Sequence, residues 1–256
     1  MFADKLRLDG RVAVITGGGR GIGLSCAQAL AEFGAKVVIA DANIDNAKAG
    51  KEALSGKGLS ADIRHLDVTD PMEVEQVAQD IVTSYGKVDI LVASAGIDRS
   101  GTAAEDVEDE LWLNVNNVNY NGVFWCNRSF GRPMLKAGRG AIVNIGSMSG
   151  LITNRPQKQC YYNASKAAVH HLTQSLATEW ASRGVRVNAV APTYIETPLT
   201  RAAIAAGLVD HWLRDMPMGR LGQPDEIASV VHFLASDAAS LMTGAVVVVD
   251  AGFTCW

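Results

Sequence analysis

The sequence predicts one doubly wound α/β domain: a parallel sheet of about seven strands with helices on both faces. Strand-like runs alternate with helix-like segments from end to end of the 256 residues. The strand-like runs are continuously apolar rather than alternating, as in strands buried on both sides. No linker, internal repeat or low-complexity stretch divides the chain, so residues 1–256 are expected to form a single domain. This is the Rossmann-type arrangement, in which ligands bind beyond the carboxyl ends of the strands.

Val12 to Thr16 is the first strand and stops at a glycine cluster. Gly23 to Phe33 reads as a helix closed by Gly34. Lys36 to Asp41 is the second strand, and a polar, alanine-rich helix follows it. The third strand ends at Leu66-Asp67-Val68, and Pro71 to Tyr85 suits a helix with proline in its first turn. Val88 to Ser94 is the fourth strand, followed by one long helical stretch from about Glu105 to Leu135. Ala141 to Ser147 is the fifth strand, and a helix covers roughly Tyr162 to Arg183. Val185 to Ala191 is the sixth strand. Residues 192–222 are less regular, Pro224 opens a late helix, and Ala245 to Asp250 is the last strand.

Composition excludes several classes of function. With 23 basic against 27 acidic residues the formal charge is −4, and no basic run offers a nucleic-acid surface. The apolar runs are too short to span a bilayer, and the charged first ten residues lack a signal core. A cytoplasmic protein without membrane or nucleic-acid partners is expected. Cys26, Cys126, Cys160 and Cys255 have neither zinc-site nor C-x-x-C spacing, so no metal is expected. Cys160 is the one to follow, because it lies two residues before Tyr162.

The strand ends carry the chemistry. Thr16-Gly-Gly-Gly-Arg-Gly-Ile-Gly23 joins a strand to a helix, where backbone amides and the helix dipole favour a phosphate. Asp41 ends the second strand, 18 residues past Gly23. A carboxylate there accepts hydrogen bonds from ribose hydroxyls and repels a 2′-phosphate, which favours NAD over NADP. Arg20 pulls the other way, since a guanidinium pairs with that phosphate. Asp67 can contact an adenine ring, Ala93 to Gly96 let a cofactor lie close, and Ser147 and Pro192-Thr193 end the next two strands. Tyr162 and Lys166 are four residues apart, so a helix puts them on one face. A fixed positive charge lowers the pKa of a phenol, ordinarily near ~10, and so favours the phenolate.

These motifs, taken in order, resemble the short-chain dehydrogenase/reductase family over essentially the whole chain. The resemblance implies catalytic roles for Asn119, Ser147, Tyr162 and Lys166. Tyr161 is a rival, but only Tyr162 precedes a lysine by four. Asn114, Asn116, Asn117 and Asn121 are rivals to Asn119, which lies three before Gly122 as the family asparagine does. Cofactor contacts are implied for Gly17, Arg20, Gly21, Ile22 and Gly23 of the glycine turn, and for Asp41, Asp67, Val68 and Ala95 at the next strand ends. Tyr162, Lys166, Pro192, Ile195 and Thr197 complete the implied set. Two departures stand out: Ala93-Ser94-Ala95-Gly96 replaces the usual Asn-Asn-Ala-Gly, and Pro192-Thr193 replaces Pro-Gly.

Gly146 to Gly150, Asn154 to Gln157 and the aromatic C-terminus resemble the polyol dehydrogenases, especially those acting on galactitol. The implied reaction is NAD-dependent interconversion of a secondary alcohol and its ketone. Tyr162 takes the hydroxyl proton, Ser147 holds the reacting oxygen, Lys166 lowers the tyrosine pKa and holds the nicotinamide ribose, and Asn119 fixes a water beside Lys166. Substrate contacts are expected from Ser147, Ser149, Asn154, Gln157 and Tyr162, under a lid of about residues 194–218 in which Trp212 and Met216 can line the site. Thr197 suits the N-cap of a lid helix and Pro198 its first position. The rivals are an NADPH-dependent reductase of 3-oxoacyl thioesters or other ketones and a catalytically silent nucleotide sensor. The family further implies a homotetramer.

Overall fold

The computed structural model describes residues 1–256, the side chain of Ala202 excepted. Seven strands are formed: β1 Val12–Thr16, β2 Lys36–Asp41, β3 Ala61–His65, β4 Ile90–Ala93, β5 Gly140–Ile145, β6 Val185–Pro192 and β7 Val246–Val249. Between them run α1 Gly21–Glu32, α2 Ile44–Ser55, α3 Pro71–Tyr85, α4 Asp109–Asn116, α5 Gly122–Ala137 and α6 Cys160–Trp180. After β6 come α7 Arg201–Ala205, α8 Val209–Asp215 and α9 Pro224–Ala235. All strand pairs are parallel, in the order β3-β2-β1-β4-β5-β6-β7. The order reverses between β1 and β4, and a crevice opens there because the two following connections leave on opposite sides.

The apolar runs are explained by the two layers they serve. Successive side chains of a strand point to opposite faces. In β1, Ala13 and Ile15 join one buried cluster with α1 and α9, while Val12 and Val14 join another with α3, α5 and α6. Neither face meets water, so no polar residue is required at alternate positions. Local chemistry sets the helix starts. Asn43 Oδ1 accepts the Asp45 and Asn46 amides ahead of α2, and Asp70 Oδ1 accepts those of Met72 and Glu73 ahead of α3, with Pro71 in the first turn.

Several boundaries differ from the sequence expectation. The stretch expected as one helix from Glu105 to Leu135 is divided into a 3₁₀ turn at Ala104–Asp106, α4, a π-turn at Asn117–Asn121, and α5. A π-turn holds one extra residue per turn, and here it contains the buried Asn119, whose side chain bonds the Ile97 backbone instead of solvent. The third strand stops at His65, because Asp67 Oδ1 takes the Thr69 amide and hydroxyl and turns the chain. The lid helix begins at Arg201, not Pro198. Thr197 and Pro198 instead form a turn closed by the Thr200 amide on the Thr197 carbonyl at 3.2 Å, and the Thr200 hydroxyl is tied to the Ile195 carbonyl at 2.6 Å.

A buried polar network fixes α5 and α6 over the centre of the sheet. Asn144 on β5 exchanges hydrogen bonds with Asn127 on α5 and donates to Thr173 Oγ1 on α6 at 3.0 Å; all three residues are fully buried. Removing one member leaves buried polar atoms unpaired. Asn144→Ala is expected to lower stability by about 1–3 kcal/mol, read as a lower urea midpoint with an unchanged slope.

Candidate active site

A cleft of about 500 Å³ runs along the carboxyl ends of the strands, from the glycine turn after β1 to Tyr194 and Trp212. At one end Gly17, Arg20, Gly21, Ile22 and Gly23 line it. Arg20 occupies the N-cap of α1 without a side-chain capping bond, which leaves the first helical amides open to an anion. Gly23 packs so closely that a Cβ would lie 2.2 Å from the Gly17 carbonyl oxygen. Asp41 is buried at the end of β2 and braces the turn: its Oδ2 accepts the Gly19 amide at 3.1 Å and its Oδ1 the Asn43 amide at 3.0 Å. Asp67, Val68 and Ala95 line the middle, and Pro192, Thr193, Ile195 and Thr197 the far wall.

Tyr162 and Lys166 lie one turn apart on α6, and both line the cleft. The Lys166 Nζ stands 5.7 Å from the Tyr162 ring centroid and donates to the Ile145 carbonyl, the last of β5, at 2.8 Å. Ser147 follows β5 by two residues; its Oγ accepts the Ser149 amide at 3.1 Å, and its own amide donates to His170 Nε2 at 3.4 Å. His170 accepts because it is neutral: burial, and then the Lys166 charge, push its pKa down to about 4. Burial likewise pushes Lys166 down to about 8, against the opposing pull of Asp98. The Tyr162 phenol is pushed up, first by burial and then by Asp98, with Ser147 pulling it down. That direction differs from the expectation that Lys166 dominates, because the enclosure that brings the pair together also disfavours the phenolate.

Other predicted residues sit elsewhere. Asn119 does not reach the cleft wall. It is fully buried, with its Oδ1 on the Ile97 amide at 2.8 Å and its Nδ2 on the Ile97 carbonyl at 2.9 Å and on Ser165 Oγ at 3.3 Å. Asn154 lies behind the wall, donating to the Tyr194 hydroxyl at 2.9 Å and accepting from Gln159 at 3.0 Å. Ser149 and Gln157 line the cleft. Of the two lid candidates, Trp212 lines the cleft, stacked on Tyr194 at 4.0 Å and 5°, whereas Met216 packs in the cluster beneath it. Cys160 is exposed at the start of α6 and away from the cleft; Cys26 and Cys126 are buried thiols pushed up to about 12. Asp98 and Gln159 are among the lining residues not singled out from the sequence. Asp98 lies five residues past the end of β4, beyond the strand-end position that located Asp41 and Asp67.

The donors and acceptors fit a nicotinamide dinucleotide. Open amides at α1 suit a diphosphate, Asp41 suits ribose hydroxyls, and Lys166 reaches the middle of the cleft. The Thr193 hydroxyl, on the far wall, is buried without a partner and can bond a polar group of a ligand. A dinucleotide-binding fold with a Tyr–Lys–Ser site defines an oxidoreductase class. The family model described as Enoyl-(Acyl carrier protein) reductase matches residues 17–254. The chain is 56% identical over 259 residues to the galactitol 2-dehydrogenase of Rhizobium johnstonii, covering 100% of this chain and 99% of that protein. It is 48% identical over 257 residues to the L-tagatose-forming galactitol 2-dehydrogenase of Cereibacter sphaeroides, with 100% and 99% coverage. The crystal structure of gox2181 superposes with a TM-score of 0.98 at 55% identity, each chain fully covered. A gluconate 5-dehydrogenase from Burkholderia cenocepacia, in complex with NADP and tartrate, has a TM-score of 0.93 at 37% identity, covering 99% of this chain and 98% of that one. The chain belongs to the short-chain dehydrogenase/reductase family.

Among the described residues no helix is long and apolar enough to cross a membrane, and no group of three His, Cys, Asp or Glu side chains could hold a metal ion. The depressed Lys166 pKa has a consequence for stability. Between about 8 and 10.5 the unfolded chain keeps the Lys166 proton that the folded protein has released, so stability from this group rises with pH. Wild type is expected to gain stability over Lys166→Met as pH rises from 8 to 10.5, and to gain nothing between pH 6 and 7. Parallel chemical denaturation of the two proteins checks this.

Proposed function

We propose that the protein is an NAD-dependent polyol dehydrogenase that oxidises a secondary alcohol of a sugar alcohol to the ketose. Tyr162 with Ser147 at the inner end of a cleft that begins at Asp41 carries this reading. A nicotinamide dinucleotide, which the α1 amides, Asp41 and Lys166 would hold, would supply the acceptor for the carbinol hydride. Tyr162 removes the hydroxyl proton. Ser147 Oγ, oriented by its own amide on His170, holds the reacting oxygen against Tyr162. Lys166, anchored on the Ile145 carbonyl, holds the nicotinamide ribose and adds positive charge that favours the phenolate. Asn119 acts through the backbone: it fixes Ile97, and with it the loop beside Lys166, and so keeps open the route by which the proton leaves.

The galactitol dehydrogenases among the relatives support an alditol as substrate. Gln157, Gln159 and Ser149 give the wall polar groups for several hydroxyls, and residues 194–218 form the lid. Asp41 supports NAD. Arg20, exposed at the same end of the cleft, supports NADP and with it the ketone-reductase alternative. The half-exposed edge strand β7, with Val248 facing outward, supports assembly into a homotetramer.

Initial rates with NAD⁺ and NADP⁺ across a panel of alditols, for wild type and Tyr162→Phe, test the proposal. NAD⁺ is expected to be preferred at least about tenfold in kcat/KM, a difference of roughly 1.4 kcal/mol. Tyr162→Phe should bind the dinucleotide normally and lose at least about 100-fold in kcat. A preference for NADP⁺ with ketone substrates would favour the reductase. Alditol turnover by Tyr162→Phe at the wild-type rate would remove Tyr162 from the mechanism.

A further inference from the structure

Asp98 follows the end of β4 in a loop pinned at three points. Asn119 holds both polar atoms of the Ile97 backbone. The Tyr161 hydroxyl, on a fully buried side chain, donates to the Arg99 carbonyl. The Gly101 amide donates to the Lys158 carbonyl at 2.9 Å. Between these anchors Asp98 lines the cleft at the end that holds Tyr162. Its Oδ1 accepts the Ser100 amide at 2.9 Å, and the Ser100 side chain and Arg99 backbone help to hold the carboxylate, which burial pushes up and the Lys166 charge pulls down. Its charge acts on Tyr162, Lys166 and Tyr194, which places the carboxylate among the groups that surround a substrate.

The cations nearby are committed or remote. Lys166 Nζ bonds the Ile145 carbonyl, and Arg20 lines the opposite end of the cleft. The alcohol end therefore presents the Asp98 carboxylate to a ligand, and Lys166, the cation that lines that end, is bonded to the Ile145 carbonyl and is assigned to the nicotinamide ribose in the proposed function. A carboxylate only accepts hydrogen bonds, so it suits hydroxyl donors. Against a ligand carboxylate it is repulsive, and an unpaired like charge discriminates more strongly than a missing contact.

We propose that Asp98 is a specificity residue that accepts a hydrogen bond from a hydroxyl of an uncharged polyol and excludes sugar acids from the same site. The proposal rests on the polyol reading above and goes beyond it by naming the group that separates neutral from anionic substrates. The gluconate 5-dehydrogenase among the structural neighbours makes gluconate the natural anionic probe.

The test uses the purified enzyme and its Asp98→Asn and Asp98→Ala variants. Asparagine keeps an acceptor for the Ser100 amide and removes the charge. Two quantities are measured: kcat/KM for galactitol with NAD⁺, and the calorimetric Kd of gluconate for the enzyme–NADH complex. Thermal melts confirm that the variants are folded. In Asp98→Ala, galactitol kcat/KM is expected to fall about tenfold or more, as for loss of a hydrogen bond to a charged group. In both variants gluconate is expected to bind at least about tenfold more tightly than to wild type. Equal gluconate affinity in all three proteins, or no binding to any, overturns the role of Asp98. Absence of alditol turnover by wild type overturns the polyol reading instead, and the gluconate titration still decides Asp98.

Discussion

The hydrogen bond from Lys166 Nζ to the Ile145 carbonyl joins the two elements on which the site is built. Ile145 ends β5, and Ser147 hangs from that end; Lys166 lies on α6, one turn from Tyr162. The bond fixes the spacing of Ser147 and Tyr162 and holds a buried ammonium by a group that asks for no counter-ion. His170 works in the same place. Held neutral by burial, it takes the Ser147 amide and adds no second positive charge beside Lys166. Gly146 and Gly150 are required for this, since a Cβ on either would approach the imidazole to 2.3 Å and 2.7 Å.

Two carboxylates bracket the cleft. Asp41 is spent partly on structure, bracing the glycine turn through Gly19 and the start of α2 through Asn43. Asp98 is held by Ser100 and by its anchored loop, and its carboxylate lines the cleft. The chain thus uses acidic groups at both ends, one suited to ribose hydroxyls and the other to those of a substrate, with Lys166 as the cation between them. Negative charge at Asp98 also raises the Tyr162 phenol, so selection of a neutral substrate opposes formation of the base. The positive charge of an oxidised nicotinamide, held by Lys166 and Asp41, would oppose that effect.

Much of this was legible in the sequence, because the parallel sheet repeats one rule. The central strands are apolar runs, the edge strand β3 (Ala61–His65) being the polar exception, and the carboxyl ends deliver small or polar residues to one edge; β1 matched its expected bounds at both ends, as did β2. What escaped was decided by contacts between segments distant in sequence. The π-turn that carries Asn119 inward contains no proline or glycine, and Gly122, which follows it, continues as helix in α5. Asn154 is expected at the substrate, but the Tyr194 hydroxyl and Gln159 claim it. Tyr161 looks like a competitor of Tyr162, yet its hydroxyl anchors the loop of Asp98. Asp98 lies in the loop five residues past β4, and the anchors that place that loop, Asn119, Tyr161 and Lys158, are distant in sequence.

Under the proposed function a hydride passes directly from the carbinol carbon of a polyol to a nicotinamide. Mass spectrometry of both products formed from NAD⁺ and galactitol deuterated at its carbinol carbons tests this. One deuterium is expected in the NADH formed and one fewer in the ketose than in the galactitol supplied. Deuterium released to water, or a ketose formed without labelled NADH, would contradict it.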